Sequence, residues 1–133
     1  SDRPAGRVGG AAMRLVFDAG SASFDAELND SPAARAIAAS LPIESEVNTW
    51  GDEIYFKAKV SCPRGGETME LRAGDVGWWP QGRCLCVFFG PTPASRGSEP
   101  VPAGPVAVVG RTEASTNLLR SIRDGEKIRV SAG

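Results

Sequence analysis

Three short stretches carry side chains that could do chemistry, all at strand spacing. Glu53-Ile54-Tyr55-Phe56 sets a carboxylate and a phenol two residues apart. In an extended segment both point to one face, and Ile54 and Phe56 take the other. If the polar face closes against a pocket, desolvation raises the Glu53 pKa and the group can serve as a base or an acceptor. If that face is open, Glu53 and Tyr55 are ordinary surface. Trp78 and Trp79 are adjacent, so a strand sends them to opposite sides. One indole then enters the core. The other either covers a barrel end or a helix, or lines a pocket with Phe88 or Phe89. The Phe88-Phe89 pair divides in the same way. Phe88 shares a face with Cys84 and Cys86, and Phe89 shares the other with Leu85 and Val87. Both faces are apolar, which predicts a strand covered on both sides, inside a barrel and under a helix. Gly90-Pro91-Thr92-Pro93 follows as a stiff turn. It is either a barrel-end loop or one wall of a cleft to which Thr92 offers a hydroxyl. Glu53, Tyr55, Trp78, Trp79, Phe88, Phe89 and Thr92 are thus the candidate ligand-binding residues.

Other chemistries are excluded by what the chain lacks. Its 133 residues contain no histidine. That removes Ser-His-Asp and Cys-His catalysis and any zinc site built on imidazole. Cys62, Cys84 and Cys86 are three thiols, too few for a disulfide scaffold. Cys84 and Cys86 read as small core residues, and Cys62 beside Pro63 as an incidental thiol. Glu44, Glu46, Asp52 and Glu53 match no calcium-loop spacing, so neither a metal nor a cofactor is expected. A net charge of −1, from 15 basic and 16 acidic residues, gives no general attraction to nucleic acid or to an anionic membrane. No apolar run is long enough to span a bilayer, and the first residues lack a signal-peptide core. The expectation is a soluble cytoplasmic protein.

The elements that position these residues follow from alternation and turn signals. Residues 1–11, rich in Gly, Pro and charge, predict a flexible tail, and residues 12–133 a single domain. Strands are predicted over 13–18, 21–28, 43–50, 53–60, 67–72, 76–79, 84–89, 106–112 and 126–131. A helix over 33–40 begins at Asp30 or Ser31 with Pro32 in its first turn, and Pro42 ends it. A second covers 115–122 behind Ser115 or Thr116. Residues 90–105, with five prolines, form a long loop. Strands without a regular β-α-β alternation fit a mainly β domain, a closed antiparallel or mixed barrel whose ends the helices plug.

Four stretches carry a family likeness: 26–42 (AELNDSPAARAIAASLP), 50–56 (WGDEIYF), 74–93 (GDVGWWPQGRCLCVFFGPTP) and 106–112 (VAVVGRT). The chain resembles the cyclophilin-like domain family of small, largely uncharacterised bacterial and archaeal proteins, which is distinct from the true cyclophilins. The resemblance implies a closed cyclophilin-like β-barrel of about eight strands with two short helices over its ends. True cyclophilins isomerise X-Pro bonds with an arginine beside the prolyl amide, lowering a barrier of roughly 20 kcal/mol. This chain departs from that pattern. It has no Phe-His-Arg segment, and EIYF offers Glu53 and Tyr55 at the comparable place. Arg72, Arg83 and Arg111 are the arginines to consider for an isomerase. The expected function is binding of a small molecule or a short, proline-containing peptide in an aromatic-lined pocket. The alternative is a divergent peptidyl-prolyl cis-trans isomerase.

Overall fold

The computed structural model describes residues 13–133. The tail expected at residues 1–11 lies outside the described residues. The elements in chain order are β1 (Arg14–Asp18), β2 (Ser23–Leu28), α1 (Pro32–Ala39), β3 (Ile43–Glu46), β4 (Asn48–Thr49) and β5 (Glu53–Lys57). There follow β6 (Glu67–Thr68), β7 (Asp75–Trp79), β8 (Cys84–Phe88), β9 (Val106–Arg111), α2 (Thr116–Arg120) and β10 (Lys127–Ala132). Both helices begin where a serine hydroxyl captures an otherwise unpaired amide. Ser31 accepts from the Ala34 N–H, and Ser115 from the Leu118 N–H. Among the described residues no helix is long and apolar enough to cross a membrane.

All ten strands join one antiparallel sheet in the order β3-β10-β1-β2-β9-β7-β8-β5-β4, with β6 attached to β9. The two ends of that order, β3 and β4, are separated in sequence by Val47 alone. No register pairs β3 with β5, so hydrogen bonds do not close the sheet, and the expectation of a closed barrel holds only for its β content and its two helices. The reason lies at Val47. Its N–H donates to the Glu126 carbonyl at 2.8 Å, and its own carbonyl accepts from Gly125 at 2.7 Å. Asp124 takes the Thr49 N–H at 3.0 Å. These bonds kink the segment predicted as one strand over 43–50. Its first half follows β10 and its second half follows β5.

The strand predicted over 67–72 is also shortened, to Glu67–Thr68. The Thr68 hydroxyl captures the Glu70 N–H and Asp75 captures the Arg72 N–H, so neither amide is free for a ladder.

One large apolar cluster fills the concave side of the sheet. Leu15, Phe17, Ile54, Phe56, Val76, Leu85 and Val87 are all at or below 1% exposure there. Phe17 stacks on Phe24 with centroids 4.6 Å apart and meets Phe56 edge-on at 6.4 Å. Ile37 of α1 and Leu119 of α2 pack into the same cluster. The opposite side of β7 and β8 carries a second, smaller cluster of Leu71, Cys84, Cys86, Phe88 and Val106. Neither helix contributes to it. The helix expected over this face of β8 is therefore replaced by residues of the proline-rich loop before β9.

Candidate functional site

Alternation assigns the aromatic residues to two sides. Trp78 (4% exposed) and Phe89 (6%) belong to the large cluster. Trp79 and Phe88 lie on the other side, with Tyr55, Cys84 and Cys86. The registers bring these outer residues together. Tyr55 pairs with Cys86 and Glu53 with Phe88 across β5 and β8. On the other flank of β8, Gly77 pairs with Cys86 and Trp79 with Cys84. Gly77 leaves the centre of this surface without a side chain, and Val106 occupies the space at 3.1 Å from where a Cβ would stand.

A cavity of about 200 Å³ opens over this surface. Its floor is Glu53, Tyr55, Cys86, Phe88 and Val106, its flanks are Trp50 and Trp79, and Pro102–Gly104 form its roof. Four of the seven candidate residues, Glu53, Tyr55, Trp79 and Phe88, thus line one cavity. Trp78 and Phe89 face the interior instead. Thr92 is 6% exposed, and its hydroxyl bonds the Val101 carbonyl while its N–H donates to Ser95 Oγ. It folds the loop onto itself and does not line the cavity. Trp50 and Cys86 are lining residues that were not among the candidates. Cys86 was visible in the alternation, two residues before Phe88. Trp50 arrives through the β4–β5 turn, where its N–H donates to the Glu53 carbonyl at 2.9 Å.

That turn is held from two sides. Gly51 has φ +62, and a Cβ there would stand 2.8 Å from Thr92 Cα. Glycine is needed for the conformation and for the close approach of the loop. The Asp52 N–H donates to Pro91 O and its carbonyl accepts from Phe89, each at 2.9 Å. Arg120 of α2 grips the Asp52 carboxylate with two nitrogens, at 3.1 and 2.8 Å. The WGDEIYF and FFGPTP stretches are therefore neighbours in space, and together they fix Trp50 and Glu53.

The polar groups of the cavity are few and poorly matched. Glu53 is 5% exposed, and burial pushes its carboxyl up to about 7, opposed in part by a hydrogen bond from the Cys86 thiol. Burial, and then the Glu53 charge, raise the Tyr55 phenol. The Tyr55 and Trp79 rings meet edge to face, 6.4 Å between centroids and 86° between planes. Trp79 Nε1 is buried without a hydrogen-bond partner among the described residues. It sits under Gly104, where a Cβ would come within 3.2 Å of it.

The arginines considered for isomerase chemistry lie elsewhere. Arg72 and Arg111 line a groove of about 700 Å³ with Glu27, Asn29 and Asp75. Arg111 is engaged there by the Asp75 carboxylate at 2.9 Å and by Ala73 O at 3.0 Å. Arg83 lines a different open groove, of about 930 Å³, with Lys57 and Lys59.

Comparison with known proteins agrees with the likeness read from the sequence. No curated protein matches the chain. Among solved structures, the solution structure of the hypothetical protein AF2241 from Archaeoglobus fulgidus superposes with a TM-score of 0.80 at 38% identity, over 96% of this chain and 99% of that one. The family described as Cyclophilin-like matches residues 13–131. The chain belongs to the cyclophilin-like family.

Proposed function

We propose that this protein is a binding module that takes a small molecule, or one side chain of a short peptide, into the cavity beneath Pro102–Gly104. The observation that carries the reading is a nearly buried carboxyl, Glu53, at the base of a cavity walled by four aromatic side chains. Apolar walls with a few convergent polar groups are the usual composition of a ligand site. A carboxyl kept out of water costs stability, and a structure that keeps one next to a void has a use for it. In this reading the sheet wraps around the large cluster as a barrel. Val47 completes the ring through the chain itself rather than through hydrogen bonds. Prolyl isomerisation is the weaker reading, because an electrophilic arginine would have to act in this cavity and its lining contains none.

Trp50 and Trp79 report on the cavity by fluorescence. Titration with a library of small ring compounds and proline-containing peptides is expected to give a saturable change for at least one class. Ala103→Phe, at an exposed roof position, fills the opening and is expected to abolish that change without unfolding the domain. If no class saturates at millimolar concentration, the binding reading fails. It also fails if Ala103→Phe leaves binding intact, since the ligand would then sit elsewhere.

A further inference from the structure

We propose that the ligand presents an alkylated ammonium head, of the trimethylammonium or methyl-lysine kind, which the partly exposed rings of Trp50, Tyr55 and Trp79 enclose above the buried Phe88 and which the Glu53 carboxylate neutralises. This rests on the binding function proposed above and names its ligand class. Two features separate such a site from a general apolar pocket. The first is the number and arrangement of the rings. Four aromatic side chains line a cavity of only about 200 Å³, which is the share of about six or seven waters in the liquid. Tyr55 and Trp79 stand perpendicular, so they form two adjoining walls rather than a parallel slot. A slot suits a flat ring, whereas perpendicular walls suit a rounded group. Ring faces carry negative potential, and a cation within about 6 Å of several centroids is attracted by each of them.

The second feature is the uncompensated acid. Four polar or charged side chains are buried among the described residues: Glu53, Asp75, Thr92 and Thr112. Asp75 is paired with Arg111, Thr92 bonds the Val101 carbonyl, and Thr112 donates to Asp25 O at 2.7 Å. Of these four, Glu53 alone has neither an ion pair nor a backbone partner among the described residues. The groups that face it are Tyr55 on its own strand and Cys86 and Cys84 on β8, none of them cationic. Asp124, which acts on Tyr55, adds a further negative charge nearby. Lys57 is the cation on the same face of β5, four residues beyond Glu53 and opposite Cys84, on which it acts; it lines a separate groove and is not part of the cavity lining. The counter-charge for Glu53 is thus left for a ligand to supply. An ammonium stripped of its N–H groups needs no hydrogen-bond acceptors, and this cavity supplies few.

Binding and ionisation are linked. A cation that binds beside the carboxylate favours the charged form, so affinity must rise as pH passes upward through about 7.

The test is calorimetric titration of the full chain with tetramethylammonium, choline, a peptide carrying trimethyllysine, and neohexyl alcohol, the neutral carbon isostere of choline. At least one cation is expected to bind on the order of tenfold or more tighter than neohexyl alcohol. Its affinity should rise about tenfold between about pH 5.5 and 8.5. Glu53→Gln is expected to remove that pH dependence. Trp50→Leu, at a half-exposed position that the fold tolerates, should weaken the cation more than the isostere. Tighter binding of the peptide than of choline assigns the head to a protein side chain, and the reverse assigns it to a free small molecule. If neohexyl alcohol binds as well as choline, the ammonium proposal is overturned while the binding function stands. If none of the four binds but a ligand of another class passes the fluorescence test, the ammonium proposal again falls alone. If nothing binds in either experiment, both fall.

Discussion

The two faces of β5, β7 and β8 are built from the same three strands and end up as different materials. On the concave side Ile54, Phe56, Val76, Leu85 and Val87 interdigitate with β1, β2, β10 and both helices, and the result is solid. On the convex side Tyr55, Trp79, Cys86 and Phe88 meet a loop, and the result is a cavity. The difference lies in the cover. A strand or helix presents side chains at a regular spacing that can fill the gaps opposite. Pro102-Ala103-Gly104 presents a pyrrolidine, a methyl and no side chain. Among the described residues, the buried carboxyl that has no ion pair, Glu53, and the unpartnered indole N–H of Trp79 both lie on this second face, where packing is incomplete. Alternation along a strand thus gives one sheet a structural face and a face free for chemistry.

The sharpest way to break this comparison is to truncate a ring on each face. Phe56→Ala removes a side chain with 0% exposure from the solid side, and unfolding free energy is expected to fall by about 3–5 kcal/mol. Tyr55→Ala, one residue earlier and half-buried on the cavity side, is expected to cost on the order of 1–2 kcal/mol. Urea unfolding measures both. Equal costs would mean that the convex cluster is as much a core as the concave one.

Glu53 supplies the next largest effect. Its folded pKa, about 7, lies above the value of 4.5 for the free side chain. Folding therefore favours the protonated form. Its contribution is intact below about pH 4.5, declines as pH rises toward 7 and is fully lost above that. The span corresponds to about 3 kcal/mol, at about 1.4 kcal/mol per unit. Glu53→Gln is expected to flatten this part of the stability profile and to make the protein more stable than wild type at about pH 8. A wild-type profile without a decline between about pH 4.5 and 7 would show that the carboxyl is solvated or paired after all.

Much of this arrangement was legible in the sequence, and the misses share one cause. The partition of Phe88 with Cys84 and Cys86, and of Phe89 with Leu85 and Val87, followed from the two-residue period alone. So did the separation of Trp78 from Trp79, and the sharing of one face by Glu53 and Tyr55. Period says which residues share a face. It does not say what covers that face. Pro102–Gly104 carries no periodic pattern, so a helix was expected where the loop lies. The kink at Val47 depends on Gly125 and Glu126, far along the chain, and nothing near Val47 announces it. The choice between the two readings of the Thr92 turn was open for the same reason, because its partner Val101 is set by the fold of the loop.

The smallest expected effect separates the two tryptophans themselves. Trp78 is enclosed, at 4% exposure, within the concave cluster. Trp78→Phe leaves part of that space empty, which is expected to cost on the order of 1–2 kcal/mol. Trp79 is only half-buried, and its ring edge borders a void that already exists. Trp79→Phe gives up some packing against Gly82, but it also deletes an N–H that is dehydrated without a partner. An unsatisfied buried donor carries a penalty of about 1–3 kcal/mol, so the loss and the relief should nearly cancel. Thermal unfolding of Trp79→Phe is expected to fall within about 1 kcal/mol of wild type, on either side. A clear destabilisation, equal to that of Trp78→Phe, would mean that the Trp79 N–H is satisfied in solution. In that case Gly104 would have to swing away from the indole, and the cavity would be more open to solvent than the roof of Pro102–Gly104 makes it.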